Sequence, residues 1–508
     1  MAFLAVIAVG AILYLGVRSI YRLYFHPLSH IPGPKLAAIT SGYEFYHNIF
    51  RGGLFVWEVK RLHEIYGPII RMNPREVHIM DPDYYDEIYA GASRKREKDP
   101  VLVAQFGLSG SGFSSIDAES HRVRRAPADK FFSKRAIENS EWLIYKGIDK
   151  FYYYLEEACK SHIVISLDAG FAALTSDTIY QYVYDFNPGS LDKEGFNASV
   201  RDGINGLFRG AHLIYFFPVL QTIMNALPVR VLETINHPAA ALAKQKRDLY
   251  LRGETALKNA EVSGRSGLSG PKKNDNLINT LASTAMPQEL RTAERLMNEG
   301  FAFIIGGTET TARTLSVGAW HLYSKSHIRN KLREELKTVM PTPNSRPRWN
   351  ELEKLPYLSG VVHESLRLST GIANRSARVA PTEALIYNGY TIPPGTPVSE
   401  THCLILMDPE IFPNPHEFDP ERWQRAAAKG QRLEKYLVNF SKGTRMCVGL
   451  NLAWAELFLV IATLVRRFEI EIYETPEENI EFARDFGTPW PDKGGLSVQA
   501  VVKGTITD

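Results

Sequence analysis

The segment FSKGTRMCVG (440–449) constrains the fold of this chain more than any other stretch, because it places a cysteine directly before a long apolar run. That run, VGLNLAWAELFLVIATLVRRF, has a strong helical pattern that extends to about Phe468. Cys447 is therefore predicted to lie at a helix N-terminus, where unpaired backbone N–H groups and the positive end of the helix dipole stabilise an anion. Arg445 adds positive charge, and both effects lower the pKa of a thiol.

Three interpretations of Cys447 remain open at this point. The cysteine can be a small buried apolar residue, a nucleophilic thiol whose partners the sequence does not assign, or a thiolate metal ligand. Gly443 and Gly449 allow the backbone to approach a flat or bulky group, so a thiolate metal ligand fits these surroundings best. The other two cysteines, Cys159 and Cys403, stand far away, which excludes a disulfide scaffold and a Cys-x-x-Cys metal site.

The composition is that of an ordinary globular protein with a large core. The 508 residues are 44% hydrophobic and 23% charged, and the net charge is only +3. This charge balance gives no reason to expect a nucleic-acid partner. The three isolated cysteines are typical of a protein kept in a reducing compartment.

The N-terminus carries an uncharged apolar segment, Ala2–Val17. As a helix it would span about 24 Å, which is shorter than the roughly 30 Å hydrocarbon core of a bilayer. Arg18 and Arg22 follow the apolar segment, whereas a cleaved signal peptide has its basic residues before it. We therefore predict a retained single-pass membrane anchor over residues 1–17. A cleaved signal peptide and a buried helix are the less favoured interpretations.

A basic and proline-rich stretch over residues 18–40 is predicted to be an extended tether, and the remainder, 41–508, a single large domain. Periodicity predicts a mostly α fold with small β-sheets. The expected helices are Ser140–Ser161, Gln288–Ser324 and Pro356–Ser369; the expected strands are a hairpin over Pro68–Met80, a second hairpin over Ala384–Ser399 with Asn388-Gly389 at its turn, and Glu469–Glu474.

Two further segments stand out from this pattern of helices and strands. Leu213–Leu220 is apolar but too short to span a bilayer, so it is either core or a surface that dips into a membrane. Ser263–Asn276 is rich in Gly, Ser and Lys and is predicted to be an exposed loop.

A second motif, IIGGTETTAR (304–313), places an acid and a hydroxyl beyond a glycine pair inside a predicted helix. Glycine in a helix costs about 1 kcal/mol relative to alanine, so the pair calls for a reason. The apolar residues before Glu309 imply that its carboxylate is buried, and a buried carboxylate is either paired or functional. Glu309 and Thr310 are therefore candidate catalytic residues.

Two further stretches supply a possible ion cluster. Glu364 and Arg367 stand three residues apart on one helix in HESLRL (363–368), and Arg422 in FDPERW (418–423) can reach a carboxylate. Taken alone, such a pair is most often an exposed ion pair of little energetic value.

Together, these four ordered motifs resemble those of the cytochromes P-450, with Phe440, Gly443, Arg445, Cys447 and Gly449 filling the fixed positions of that family's haem-binding loop. The resemblance covers nearly the whole chain. It implies the cytochrome P-450 fold, a single large haem domain, and haem b with Cys447 as the axial ligand of the iron.

The resemblance also assigns roles to the other motifs. It implies that Glu309 and Thr310 deliver protons during oxygen activation. It gives Glu364, Arg367 and Arg422 a structural role near the haem loop.

The positions that contact the haem propionates in this family are matched less completely by this chain. Arg378 and Arg445 match positions that meet the haem propionates. The family commonly has Trp-x-x-x-Arg before the distal helix, where this chain has His121-x-x-x-Arg125. Histidine can still donate a hydrogen bond to a carboxylate, and Arg124 is a neighbouring competitor for the role of Arg125.

The function implied by the resemblance is a monooxygenase that inserts one oxygen atom from O2 into a hydrophobic small molecule. Electrons would come from NADPH through a separate cytochrome P-450 reductase, or from a cytochrome b-type donor, because no dinucleotide-binding fingerprint is present. The protein would be anchored in the endoplasmic reticulum membrane with its catalytic domain in the cytosol. YFHPLSHIPGPKLAA and IPPGTPVS are similar to fungal members of secondary metabolism of the trichodiene oxygenase group.

Three alternatives remain open. A haem-thiolate isomerase or dehydratase would need no external electrons, and the intact Glu309-Thr310 pair counts against it. A non-catalytic haem-binding protein and a haem-free thiol enzyme are the others. Substrate contacts are expected from residues 101–115, 208–217, 301–305, 370–374 and 486–490.

Overall fold

Long apolar repeats with a helical period produce a fold dominated by helices in the computed structural model of the protein, which describes residues 1–196, 199–265 and 276–507. The α-helices are α1 Ala2–Ile20, α2 Lys35–Ile39, α3 Gly42–Phe45, α4 Phe55–Tyr66, α5 Tyr85–Ile88, α6 Pro100–Ala104, α7 Ala118–Phe131, α8 Lys134–Glu138, α9 Glu141–Ser161, α10 Leu167–Tyr184, α11 Ser199–Phe216, α12 Val219–Ala226, α13 Val229–Ile235, α14 His237–Arg265, α15 Leu277–Ala282, α16 Ala293–Ser324, α17 Ser326–Lys337, α18 Trp349–Leu352, α19 Pro356–Ser369, α20 His402–Leu406, α21 Glu421–Ala428 and α22 Leu450–Arg467. The expectation of one large, mostly α domain is confirmed.

Helix α16 forms the centre of the fold. It is 32 residues long and packs against α10, α14, α19 and α22, so most of its surface is buried. It begins later than the sequence pattern predicts, because the side chain of Thr292 accepts a hydrogen bond from the backbone N–H of Arg295 and caps the helix. Residues Gln288–Leu290 form a separate 3-10 turn instead.

Within the described residues, the strands form four small sheets. They are β1 Ile69–Arg71, β2 Val77–Ile79, β3 Glu97–Lys98, β4 Val164–Ser166, β5 Arg378–Val379, β6 Leu385–Tyr387, β7 Tyr390–Ile392, β8 Pro397–Ser399, β9 Phe468–Ile472, β10 Arg484–Asp485, β11 Pro489–Trp490 and β12 Gln499–Thr505. The largest sheet has the order β1-β2-β8-β5-β3, and β4-β12-β9 form a second one.

Both hairpins predicted from the sequence are present. β1 pairs antiparallel with β2, and β6 pairs antiparallel with β7 around Asn388 and Gly389, whose φ angles of 46° and 83° suit a two-residue hairpin turn. The last part of the second predicted hairpin does not belong to it. Pro397–Ser399 is β8, which pairs parallel with β2 and antiparallel with β5.

The N-terminal helix is longer than the sequence analysis expects. After α1 the chain continues in a π-helical turn, Tyr21–Phe25, so that 24 residues are long and apolar enough to cross a membrane, with none of the span's apolar window buried in the protein. At 1.5 Å per residue this length is about 36 Å, which exceeds the hydrocarbon core of a bilayer. The helix ends at His26, the residue before Pro27, where a proline disfavours helical geometry.

The stretch expected to be an extended tether is instead docked on the domain. Its first part belongs to the N-terminal helix, and its last part forms α2. Leu28 and Ile31 are buried in the core around the largest sheet, and the Arg22 guanidinium donates a hydrogen bond to the carbonyl of Ile39. Three prolines therefore shape a packed connection, not a free linker.

The two segments left open by the sequence differ in outcome. Leu213–Leu220 is divided between α11 and α12 at Pro218; Tyr215 is buried, whereas Phe217 and Val219 are 45% and 60% exposed. The segment is thus partly core and partly surface. Most of the predicted loop Ser263–Asn276 lies outside the described residues.

Candidate functional site

The cysteine loop is closed on itself before α22 begins. The backbone N–H of Cys447 donates to the carbonyl of Phe440 at 2.9 Å, and Gly449 precedes the first residue of α22. The ring of Phe440 lies 6.0 Å from that of Trp454 on the same helix. The side chain of Cys447 is exposed although the residues around the loop belong to the interior of the fold.

The two glycines of the loop have different backbone conformations and different surroundings. Gly443 has a φ of +70°, and a Cβ atom there would lie 2.2 Å from the carbonyl oxygen of Ala90 and 2.3 Å from that of Tyr89. Its close approach is therefore to protein backbone, not to the flat group that the sequence analysis expects. Gly449 has a φ of −81°, and a Cβ atom would meet only the sulfur of Cys447 at 4.0 Å.

The expectation of a lowered thiol pKa at Cys447 is wrong for the chain alone. Desolvation by the protein around the loop raises the pKa of the thiol although its outer side is exposed, and the N–H groups of Gly449 and Leu450 at the start of α22 together with Arg125 act in the lowering direction without outweighing it. The helix N-terminus therefore acts as expected. The nearby cation is Arg125, whose Nη1 donates to the carbonyl of Met446 at 2.8 Å, and not Arg445.

Four cationic side chains from distant parts of the chain converge beside this loop: Lys98, Arg125, Arg378 and Arg445. Burial first, and then the charges of the three arginines, hold the pKa of Lys98 well below its usual value. Burial and Arg378 likewise lower the pKa of Arg445 to about 10. Such a cluster is unfavourable unless an anion neutralises it.

The hydrogen bonds of these cations do not supply that anion. Arg445 donates to the carbonyls of Ser115, Ile116 and Asp117, and Lys98 donates to the carbonyl of Phe113. Arg378 donates to backbone carbonyls and to a serine hydroxyl. In the part of the chain that the structure describes, no carboxylate accepts a hydrogen bond from Lys98, Arg378 or Arg445; among the four cations only Arg125 donates to one, that of Asp129, at 2.6 Å.

The structure separates the two arginines that the sequence left in competition. Arg125 faces the cysteine loop, whereas Arg124 donates to the hydroxyl of Ser115 at 3.0 Å and lies beside Arg295. His121 is buried among the four cations, and burial together with their charges lowers its pKa to about 3. It is therefore neutral and able to donate one hydrogen bond.

Lys98 was missed by the sequence analysis. It is the last residue of β3, which pairs with β5, so Lys98 stands opposite Arg378. No sequence motif marks it, because its relation to the cysteine loop exists only through this strand pairing.

The acid and hydroxyl of the second motif lie directly after the glycine pair, within the continuous helix α16. Gly306 is exposed, and nothing would lie within 4 Å of a Cβ atom there. At Gly307 a Cβ atom would lie 2.8 Å from the side chain of Ile179, so this glycine permits close packing of α10 on α16. The Thr310 hydroxyl donates to the carbonyl of Gly306 at 2.7 Å, and Glu309 is buried.

The third set of residues forms a wholly buried cluster. Glu364 accepts two hydrogen bonds from Arg367, at 2.9 and 2.8 Å, and its carboxylate also lies 3.3 Å from Nε of Arg422. Trp423 Nε1 and the backbone N–H of Asp419 complete the bonds to the carboxylate. The cluster joins α19 to α21, and the interpretation as an exposed ion pair is wrong.

Four of the five segments expected to contact a substrate meet one another. Leu102 and Tyr215 share a small apolar cluster with Ala377. A Cβ atom on Gly487 would lie 3.0 Å from the ring of Phe208, and the carbonyl of Gly487 accepts from the N–H of Ala373 at 3.1 Å. Aromatic and aliphatic side chains at these contacts suit a hydrophobic ligand.

Comparison with known proteins identifies this arrangement. The sequence model of the family described as Cytochrome P450 matches residues 40–494. The chain belongs to the cytochrome P450 family. It is 44% identical to "Conidiogenone synthase PchP450" of Penicillium rubens, over 94% of this chain and 95% of that protein.

Two other relatives extend the comparison. "Cytochrome P450 monooxygenase aflU" of Aspergillus parasiticus is 42% identical over 98% of this chain and 97% of its own length. "Cytochrome P450 monooxygenase TRI4" of Trichoderma arundinaceum is also 42% identical, over 96% and 93%.

As a member of this P450 family the chain is a haem-thiolate monooxygenase of the fungal secondary-metabolism type, an oxidoreductase that incorporates an atom of molecular oxygen. The family requires haem, electrons from a reductase and a hydrophobic substrate. The residues present fit that haem, since a thiol with an exposed side faces outward from a helix N-terminus and a cluster of cations lacks its anion. The apolar N-terminal helix fits a membrane anchor.

Proposed function

We propose that this P450 binds haem b through Cys447, takes electrons from NADPH through a separate cytochrome P-450 reductase, and oxidises a hydrophobic small molecule at the endoplasmic reticulum membrane. The observation that carries the proposal is the convergence of Lys98, Arg125, Arg378 and Arg445 beside the cysteine loop. A dianionic group such as the two propionates of haem b supplies the charge that this cluster lacks.

Each residue at the haem site has a distinct task in this proposal. Cys447 would hold the haem iron through its thiolate, and a bound haem would supply the iron centre at which dioxygen is activated. Arg378, Arg445 and Arg125 neutralise the propionates, with Lys98 as a further cation. Neutral His121 donates a hydrogen bond to a propionate, as the family's tryptophan does at this position. Gly443 sets the shape of the loop.

Glu309 and Thr310 would hold and move protons for the oxidation. Oxidation by this route consumes two electrons and two protons, so that one oxygen atom enters the substrate and the other leaves as water. The Thr310 hydroxyl, which donates to the carbonyl of Gly306 one turn earlier on α16, would pass a proton onward. The carboxylate of Glu309 supplies the next proton.

The membrane is part of the proposed setting. The 24-residue N-terminal helix is the anchor, and a second apolar surface lies on α11 and α12, where Phe217, Val219 and Ile223 are exposed. The ring of Phe45 contacts both Phe216 and Phe217, at 5.1 and 5.8 Å, so that this surface is tied to the N-terminal part of the domain. We place it at the membrane, where a hydrophobic substrate accumulates.

Several finer points remain predictions. These are the cytosolic orientation of the haem domain, the use of a cytochrome b-type donor as a second source of electrons, and the division into an anchor over 1–17, a connection over 18–40 and a catalytic domain over 41–508. Hydroxylation or epoxidation is the proposed reaction, in the biosynthesis of a fungal secondary metabolite that is a terpenoid, a polyketide or an alkaloid.

Reconstitution with a reductase tests the proposal. Purified full-length protein in lipid vesicles is mixed with NADPH–cytochrome P-450 reductase and a hydrophobic substrate. It is expected to consume NADPH and oxygen as it oxidises that substrate. Glu309→Gln and Thr310→Ala are expected to lower product formation by about 100-fold, as general acid–base groups do, while the reduced carbon monoxide spectrum stays unchanged.

The same experiment separates the alternatives. Product formation without NADPH would indicate a haem-thiolate isomerase or dehydratase. Haem binding without any turnover across a broad hydrophobic library would indicate a non-catalytic haem protein.

A further inference from the structure

Lys246 on α14 is a half-buried cation that contacts two of the segments expected to meet the substrate. Its Nζ donates to the carbonyl of Gly107 at 3.3 Å, in the loop that follows α6. The same atom lies 5.1 Å from the centre of the Phe301 ring on α16. The ammonium group therefore touches the segments 101–115 and 301–305 at once.

These surroundings do not neutralise the charge of Lys246. Among the described residues, the Gly107 carbonyl is the only hydrogen-bond acceptor of Nζ, and no carboxylate lies within ion-pair distance of it. An ammonium group has three donors, so two of them lack a protein acceptor. Burial lowers the pKa of Lys246, and no neighbouring acid offsets this effect. A partly buried cation of this kind is stabilised by an anion from outside the chain.

The side chains around the ammonium group are apolar. Phe301 is fully buried in the main hydrophobic core. The same core contains Leu108, the residue after Gly107, and Phe208 from a third segment expected to meet the substrate. The ligand that suits this environment is mostly hydrophobic and carries a single anionic group.

The position of Lys246 along α16 indicates which part of a ligand it would hold. Phe301, which the ammonium group faces, precedes Thr310 by nine residues on the continuous helix α16. At 1.5 Å per residue this separation is about 13 Å along the helix. A group bound to Lys246 is therefore distant from the acid–hydroxyl pair, so it fixes one end of a ligand while the other end reaches the reacting region.

We propose that Lys246 is a specificity-determining residue that binds a carboxylate of the substrate, so that this P450 oxidises hydrophobic carboxylic acids at a carbon far from the acid group. The proposal rests on the proposed function and names a substrate class for it. A carboxylate matches the single positive charge, and a charge-assisted hydrogen bond between two ions is shorter and stronger than the bond to the Gly107 carbonyl. A methyl ester of the same skeleton keeps the apolar contacts and lacks the charge.

Binding of matched acids and esters tests the proposal without turnover. Full-length, haem-loaded protein is dialysed to equilibrium against three pairs, namely dodecanoic acid, abietic acid and 9-anthracenecarboxylic acid, each with its methyl ester. Wild type is expected to bind at least one acid about 10- to 100-fold more tightly than its ester, the range of a charged hydrogen bond. The absence of a preference for the acid in all three pairs would overturn the proposal.

Three variants locate that preference. Lys246→Met keeps an apolar stem and removes the charge, so the acid is expected to lose its advantage while the ester binds as before. Lys246→Arg keeps the charge and is expected to retain the preference. Lys258→Met removes an exposed lysine of the same helix and is the matched control. A preference unchanged in Lys246→Met, or equal losses for acid and ester, would show that Lys246 only holds the loop and would overturn the proposal.

Steady-state kinetics add a readout that a purely structural role would not give. With an acid that the enzyme oxidises, Lys246→Met is expected to raise KM about 10- to 100-fold. The value of kcat is expected to stay nearly unchanged, because the contact forms equally in the ground state and the transition state. A lower kcat at constant KM would contradict the proposal. Lys246→Gln serves as a second variant should Lys246→Met fail to fold.

Failures of the two proposals look different. If wild-type protein does not turn over with a reductase, the proposed function fails, and the preference for acids is still measured by dialysis. If wild type oxidises hydrophobic molecules and binds each acid no better than its ester, the proposed function stands and the carboxylate site is wrong.

Discussion

The guanidinium of Arg367 meets the carboxylate of Glu364 through two hydrogen bonds of 2.9 and 2.8 Å, and neither side chain is exposed to solvent. The same guanidinium also donates to the carbonyls of Leu406, Pro415 and Glu417, so that it ties α19 to the chain before α21. One ion pair therefore organises the polypeptide that leads into the cysteine loop.

Removing one member of this pair leaves the other charge buried. Glu364→Gln and Arg367→Met are each expected to lower the free energy of unfolding by about 3–5 kcal/mol, as for other broken buried ion pairs. Urea denaturation of the two variants checks this, with Arg425→Met on the exposed side of α21 as the control. A loss below about 1 kcal/mol, the value of a surface pair, would contradict a structural role.

The two loop glycines are expected to respond differently to the same change. Gly443→Ala must place a methyl group within 2.3 Å of two backbone oxygens at a positive φ, which the surrounding chain cannot accommodate. Gly449→Ala meets no such contact within the protein. We expect the first variant to lose haem and the second to retain it, as measured by haem content after purification. Equal haem content in both would show that backbone geometry at Gly443 does not shape the loop.

Lys98→Gln is expected to have opposite effects on the haem-free and the haem-loaded protein. Without haem the change relieves repulsion among like charges, so the urea midpoint rises. With haem it removes a charged hydrogen bond worth about 1.5–3 kcal/mol, so haem dissociates about 10- to 100-fold faster. Lys95→Gln, on an exposed neighbour, is the control. If haem dissociates at the same rate from both variants, Lys98 does not bind the haem.

A buried histidine pair makes the stability depend on pH. Nδ1 of His63 donates to the carbonyl of Gly67 at 2.8 Å, so its Nε2 accepts from Nδ1 of His78 at 2.7 Å, an arrangement that requires the His63 ring to be neutral. Burial lowers the pKa of His63 to about 4 and that of His78 well below its usual value. The unfolded chain, with a pKa near 6.5, therefore binds protons first as the pH falls.

The contribution of His63 is thus complete above about pH 6.5 and is lost as the pH falls toward about 4, which amounts to about 2 kcal/mol between pH 7 and pH 5. His63→Gln is expected to reduce that pH dependence by this amount, in urea titrations at both pH values. His327→Gln, on an exposed histidine, is expected to keep the wild-type slope. A slope unchanged by His63→Gln would show that this ring is not neutral in the folded protein.

The parts of the fold that could be predicted are those determined by local sequence. Helix α19 has the bounds that its pattern predicts, and the Asn388-Gly389 turn lies where two positive φ angles are needed. The start of α22 shortly after Cys447 could also be predicted from local sequence, because an unbroken apolar repeat follows the cysteine. Four motifs in the expected order were enough to predict the family, which the comparison confirms.

Other features depend on which distant residues meet, and periodicity carries no information about that. Lys98 reaches the site through its pairing with Arg378, and Arg201 reaches Glu309 from a different helix. The direction of the pKa shift at Cys447 was wrong because burial, a property of the whole fold, outweighs the local helix N-terminus. The anchor was predicted too short because the aromatic residues up to Phe25 continue the helix beyond the uncharged run.

The most direct test of the account is the carbon monoxide difference spectrum of the reduced, haem-loaded protein, recorded for wild type, Cys447→Ser and Cys159→Ser. The account predicts a strongly red-shifted, thiolate-type Soret band for wild type and Cys159→Ser, and its loss in Cys447→Ser. A histidine-type band in folded wild-type protein, or a thiolate-type band that survives in Cys447→Ser, would contradict the assignment of Cys447 as the axial ligand.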